Sequence, residues 1–118
     1  MKVKTVLIVD DSRVSRMMVS AIIKSQYKDW KIEEAASGDE AVSKLTELHP
    51  DIAVVDFNMP GSLDGLQVAE KLRQQSATTQ IILLTANIQD SIRDKAAAMG
   101  ITFVGKPITE EKILTALA

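Results

Sequence analysis

The sequence predicts an α/β fold, a doubly wound five-stranded parallel sheet. Three observations predict it. Short apolar runs recur along the chain and are continuous rather than alternating, the pattern of strands covered on both faces. Stretches with helical spacing separate them. The strand–helix order repeats five times, which implies a parallel sheet with right-handed crossovers.

Four runs carry the sheet: Val6-Leu7-Ile8-Val9, Ile52-Ala53-Val54-Val55, Ile81-Ile82-Leu83-Leu84 and, more weakly, Ile101-Thr102-Phe103-Val104. A fifth, Lys31 to Ala36, is more polar and suits an edge. The first helix runs from Ser12 to about Gln26, with apolar residues at Val14, Met17, Met18, Ala21 and Ile22. The apolar residues between Met17 and Ile23 sweep about 240° of the helix surface, more than a core face needs. Met18 and Ile22 lie mid-arc and are expected in the core. Val14, Met17 and Ala21 lie toward one edge, where a partner helix could pack. Ser37-Gly38-Asp39-Glu40 has the capping-box form and opens the second helix. His49-Pro50 ends it, because proline disfavours helix in the residue before it. Further helices are expected over Leu63 to about Gln75, Asp90 to Met99, and Thr109 to the end. Gly100 is placed to stop the fourth in a left-handed conformation.

The chain of 118 residues is read as one domain, 1–118, long enough to bury a core unaided. With 46% hydrophobic and 25% charged residues it has the composition of a soluble globular protein. A net charge of -2 offers no general basic field for nucleic acid or an anionic membrane. Absence of cysteine excludes disulfides and thiolate metal sites. The apolar run after Met1-Lys2-Val3-Lys4 is too short for a signal peptide or a membrane span. The expected location is the cytoplasm.

The chemistry lies where the strands end. The first ends in Asp10-Asp11, the third in Asp56, the fourth in Thr85, and Lys106-Pro107 follows the fifth. Open α/β sheets bind ligands outside the carboxyl ends of strands, where strand order reverses. In order 2-1-3-4-5, strands 1 and 3 are neighbours there, so three carboxylates converge, with a hydroxyl and an amine reaching them. Such a cluster calls for a cation. All-oxygen donors select Mg²⁺, Mn²⁺ or Ca²⁺ over zinc, and Mg²⁺ also binds phosphate oxygen. A carboxylate is a competent nucleophile toward phosphorus. Lys106 and Thr85 would then face the phosphoryl oxygens. A lone aspartate after a strand is ordinarily a turn or cap; the joint placement is what carries meaning.

These residues fall in Val-Asp-Asp-Ser at 9 to 12, Val-Val-Asp-Phe-Asn-Met-Pro at 54 to 60, Asp-Gly at 64 to 65, Leu-Thr-Ala at 84 to 86 and Lys-Pro at 106 to 107. On them the chain resembles the receiver domains of two-component response regulators, in particular chemotaxis-type single-domain regulators, from Val3 to Ala118. The resemblance implies a flavodoxin-like receiver fold. It implies Asp56 as phosphoacceptor, with Mg²⁺ held by Asp10, Asp11, Asp56 and the Asn58 carbonyl. It implies Lys106 paired with the phosphoryl group, a cis Lys106-Pro107 bond, and a switch in which Thr85 moves and Phe103 turns inward. The implied donor is a phosphohistidine on a sensor kinase or phosphotransfer domain, and the implied output face is helix 4, strand 5 and helix 5. Autodephosphorylation would be slow, with no separate substrate turned over. One departure is the loop after Asp56: Gly61-Ser62 makes it one residue longer than the family's usual form.

Asn58 and Asn87 hold positions that in the family flank the path of the hydrolytic water; both are neutral here. Ala86 is small, so an open approach to Asp56 is expected. Ala96-Ala97-Ala98 leaves room for close packing. Trp30 is expected to be structural and away from the crevice, and His49 is given no role. Two other functions compete. A Mg²⁺-dependent phosphohydrolase with an aspartate nucleophile would have a second acid two residues on, where this chain has Asn58, and a cap domain. A flavin or nucleotide carrier would want a Ser/Thr/Gly-rich loop after strand 1 in place of Asp10-Asp11, and more aromatics than 3%.

Overall fold

The computed structural model describes residues 3–59, 61, 63–86 and 89–118. Five strands, β1 (Thr5–Val9), β2 (Lys31–Ala35), β3 (Ile52–Asp56), β4 (Gln80–Thr85) and β5 (Thr102–Gly105), alternate with five helices. The helices are α1 (Arg13–Gln26), α2 (Gly38–Lys44), α3 (Gly65–Gln75), α4 (Asp90–Ala98) and α5 (Glu110–Leu117). The sheet order is β2-β1-β3-β4-β5 and every pairing is parallel. This is the expected doubly wound α/β fold.

Alternation along the strands divides the core in two. Leu7, Val9, Ala53, Val55, Ile81 and Leu83 face α2, α3 and α4, where Ala41, Val68, Leu72 and Ala96 are buried with them. Val6, Ile8, Ile52, Val54, Ile82 and Leu84 face α1 and α5, against Val19, Ile23, Ile113 and Leu117. Burying a side chain such as Ile23 or Leu72 stabilises the fold by about 1.5–3 kcal/mol.

The first helix corrects the expected phase. Its buried residues are Val19 and Ile23, not Met18 and Ile22. Met18 is 45% exposed, Ile22 is half-buried at the margin, and Val14 and Met17 are exposed. Val19 and Ile23 lie one position on, which turns the core side away from the arc that the apolar residues mark out. A second apolar stripe, Val14, Met17, Met18 and Ala21, therefore faces outward. The fifth strand corrects a second expectation. It is an edge strand with only Val104 buried, so it is not covered on both faces.

Helix ends follow local chemistry. Ser12 caps α1 by accepting from Ser15 N–H, and Ser37 caps α2 by accepting from Glu40 N–H. The Glu40 carboxylate reaches back to Ala36 N–H, so the reciprocal half of the expected capping box is shifted by one residue. A complete capping box forms instead at α3, between Asp64 and Gln67. Gly100 closes α4 at φ 68°, as expected. Trp30 is buried at the opposite end of the sheet from the carboxyl termini, stacked on Tyr27 at 3.8 Å. Of the three alanines in α4, Ala96 is buried and Ala97 and Ala98 are exposed.

Candidate functional site

The sheet order brings the ends of β1 and β3 side by side, with Val9 opposite Val55. Asp10 and Asp11 follow one strand and Asp56 ends the other. Oxygens of the three carboxylates lie within 4.8 Å of one another. Asp10 and Asp56 are almost fully buried, at 2% and 3% exposure, while Asp11 is exposed at the mouth. A cation of the described residues meets them: Lys106 Nζ is 3.1 Å from Asp56 Oδ1.

Backbone contacts hold this arrangement. Lys106 N–H donates to the Thr85 carbonyl at 2.8 Å, and Phe57 N–H donates to the Leu84 carbonyl at 2.7 Å. The β4 end thus holds the chain just past Asp56 and the loop bearing Lys106. The Lys106-Pro107 bond is cis. Ser12 N–H donates to Asp10 Oδ1 at 2.9 Å. Gly65, the first residue of α3, packs against the Asp56 peptide so closely that a Cβ there would sit 2.3 Å from the Asp56 carbonyl oxygen. Only a residue without a side chain lets α3 start at this point.

Burial dominates the electrostatics. It pushes the Asp56 carboxyl above its ordinary value, against the opposing pull of the Lys106 ammonium and the Asn58 N–H. It also pushes Asp10 up, against the pull of the Ser12 N–H and with help from the neighbouring Asp56 charge. Asp56 Oδ1 is buried and, among the described residues, accepts no well-directed hydrogen bond; the Lys106 ammonium lies beside it. A buried oxygen with spare acceptor capacity, among three carboxylates facing one ammonium, fits a hard divalent cation. The donors are all oxygen, the set Mg²⁺ takes.

The remaining expected residues fall around this cluster. Thr85 is fully buried at the end of β4, next to β3. Phe103 is half-buried on β5 opposite Leu83, and by alternation Thr85 and Phe103 share a sheet face. Arg93 of α4 lies over the Phe103 ring, 5.9 Å from its centre. Asn58 is exposed two residues past Asp56, and Ala86 is exposed and small beside Thr85. Asn87, Pro60 and Ser62 lie outside the described residues, while Gly61 in the lengthened loop has φ 104°. Two contributors were not foreseen. Asp64-Gly65 marks a motif, but the close approach of Gly65 depends on packing. Arg16, whose guanidinium donates to the Asp10 carbonyl, gives no signal in sequence beyond its place in the first turn of α1.

Comparison with known proteins places these features in a family. The sequence model of the response regulator receiver domain matches residues 6–118. The chemotaxis protein CheY of Bacillus subtilis is 33% identical over 114 residues, covering 95% of this chain and 92% of that protein. The probable transcriptional regulatory protein TcrX of Mycobacterium tuberculosis is 34% identical over 116 residues, and this chain spans 47% of its length. Among solved structures, the chemotaxis protein CheY4 of Vibrio cholerae superimposes with a TM-score of 0.85 at 31% identity, covering 98% of this chain and 97% of that one.

Proposed function

The chain belongs to the response regulator receiver domain family of two-component signalling, and from that premise we propose that it is a switch driven by phosphorylation of Asp56. The observation that carries this is the Asp56 carboxylate itself: buried, beside two further acids, with one oxygen facing the Lys106 ammonium and accepting no well-directed hydrogen bond from the described residues. The donor is a phosphohistidine on a sensor kinase or phosphotransfer domain. An Asp56 oxygen bonds to phosphorus as the P–N bond breaks; the electron pair stays on the imidazole nitrogen, which takes up a proton.

Asp10, Asp11, Asp56 and the Asn58 carbonyl are the residues that would hold Mg²⁺, which supplies countercharge to the phosphoryl oxygens. Lys106 leaves its ion pair with the free carboxylate for a phosphoryl oxygen. Thr85 donates its hydroxyl to another, and Phe103, on the same sheet face, turns inward behind it. The surface of α4, β5 and α5 is the output face. A cleft of about 830 Å³ lined by Phe103, Val104, Lys112 and Thr115 gives a partner something to enter there.

The outward stripe Val14, Met17 and Met18 supports docking from the kinase side. It lies on the helix that starts at the mouth of the acid cluster, and methionine adapts to a partner's shape. The whole of 1–118 acts as one receiver domain, in the cytoplasm, where its phosphodonor works. Among the described residues no helix is long and apolar enough to cross a membrane. The chemistry is self-directed: uptake of one phosphoryl group and its slow hydrolysis, without a separate substrate. Mixing the protein with Mg²⁺ and acetyl phosphate tests this. A stoichiometric, base-labile adduct supports the switch. Rapid multiple turnover of ordinary phosphate esters would make the chain a phosphohydrolase instead, and a bound yellow chromophore a flavin carrier.

A further inference from the structure

Arg16 joins the acid cluster to the edge of the sheet. Its Nη1 donates to the Asp10 carbonyl at 2.6 Å and its Nε to Glu34 Oε1 at 2.9 Å. The side chain is only 15% exposed, although it leaves the first turn of a surface helix. Asp10 is thereby gripped on every polar group of its peptide and on its side chain. Its N–H donates to the Ala35 carbonyl at 3.1 Å, its carbonyl accepts from Arg16, and its Oδ1 accepts from Ser12 N–H. Both outer anchors come from the end of β2. Glu34 orients the guanidinium, Ala35 holds the N–H, and the Lys44 ammonium in turn donates to the Glu34 carbonyl.

We propose that Arg16 is a positioning residue for the metal site, fixing the Asp10 peptide so that its buried carboxylate stays aimed at the shared centre with Asp11 and Asp56, and that Glu34 sets Arg16 for this task. The proposal rests on the reading of the acid cluster as a Mg²⁺ site. A guanidinium suits the role because it donates in two fixed directions at once, here to a carbonyl and a carboxylate. A lysine at 16 has the charge but not the fork. Residues that orient metal-binding groups without touching the metal typically govern affinity rather than the chemistry that follows.

Mg²⁺ binding by isothermal titration, at a temperature where circular dichroism shows every variant folded, tests this. Arg16→Ala is expected to weaken Mg²⁺ about tenfold, and Arg16→Lys to recover only part of the loss. Glu34→Gln changes the exposed end of the pair, so a weakening of roughly threefold is expected, and none when Arg16 is already alanine. With acetyl phosphate, the Mg²⁺ concentration for half-maximal labelling rises in step, while the rate at saturating Mg²⁺ stays within about twofold. A role confined to stability would lower the melting temperature and leave these dissociation constants unmoved. If Arg16→Ala binds Mg²⁺ as wild type does, or if Glu34→Gln weakens it equally with and without Arg16, the positioning role is wrong. If wild type itself binds no Mg²⁺, or Asp11→Asn binds it undiminished, the metal site falls and this role with it. Should Arg16→Ala fail to fold, the surface change Glu34→Gln and the charge-preserving Arg16→Lys decide the matter.

Discussion

Lys106 Nζ stands 3.1 Å from Asp56 Oδ1, and that oxygen accepts no well-directed hydrogen bond from the described residues. The ammonium, itself part-exposed, thus offsets a buried charge on the group proposed as the nucleophile. Removing it leaves that charge uncompensated. Lys106→Met is expected to cost about 1–3 kcal/mol at neutral pH, and Lys106→Met with Asp56→Asn to restore most of it. Chemical denaturation of both single variants and the double closes the cycle; strictly additive losses would show that the two groups do not interact. Labelling of Asp56 by acetyl phosphate should fall roughly 10²–10³-fold in Lys106→Met, the scale of losing one preorganised donor.

Stability without metal should depend on pH through Asp10. Its carboxyl lies above the ordinary aspartate value of 3.8 because burial disfavours the charge. A carboxyl that holds its proton more tightly when folded stabilises the fold while protonated. That contribution is complete below the unfolded value and is lost as pH rises through the folded one. At pH 7 in EDTA, Asp10→Asn is therefore expected to be more stable than wild type by about 1–3 kcal/mol. The advantage should shrink as pH falls toward 3.8. Saturating Mg²⁺ should stabilise wild type and do little for the variant. An advantage independent of pH, read from melting curves, would contradict the assignment.

Gly65→Ala sets helix propensity against packing. Propensity alone favours alanine by about 1 kcal/mol in a helix. The added Cβ, however, would lie 2.3 Å from the Asp56 carbonyl oxygen and 2.6 Å from the Phe57 Cα, both backbone atoms. Packing should win, with a net loss of at least about 2 kcal/mol by urea denaturation. Unchanged or raised stability would mean that α3 can shift away from the site.

The outward stripe of α1 should matter for the donor and not for the fold. Met17→Gln and Met18→Gln sit at exposed positions, so stability should move by no more than about 0.5 kcal/mol. Phosphotransfer from a cognate kinase or phosphotransfer domain should slow roughly tenfold, the effect of about 1.4 kcal/mol at an interface. Labelling by acetyl phosphate, which needs no docking surface, should be unchanged. Equal slowing with both donors would place the defect in the site instead.

The sheet was legible because its inner strands are unbroken apolar runs. Val6 to Val9, Ile52 to Val55 and Ile81 to Leu84 admit water on neither face, and the strand order that the resemblance implies puts the ends of the first and third side by side. That is why Asp10, Asp11 and Asp56 could be brought together on paper, with Thr85 and Lys106 beside them. The first helix misled for the opposite reason. It is apolar on two faces, so an arc drawn through Met17 to Ile23 has its middle at the wrong residues. Burial selects Val19 and Ile23 and leaves Met18 outside. The fifth strand is the weakest of the apolar runs, and at the edge of the sheet only its Val104 is buried, where coverage on both faces was expected. The supports of the site were hidden because each depends on distance. Nothing in the one-dimensional pattern says that Arg16 reaches the Asp10 carbonyl or that α3 starts against the Asp56 peptide.

Reductive trapping of the acyl phosphate tests the central claim most directly. The protein is incubated with acetyl phosphate and Mg²⁺, reduced with borohydride, digested and sequenced by mass spectrometry. The expected result is conversion of Asp56 to homoserine in wild type, with none in EDTA and none at that position in Asp56→Asn. Trapping at another carboxylate in wild type, or no trapped residue at all, would contradict the assignment of Asp56 as the phosphoacceptor.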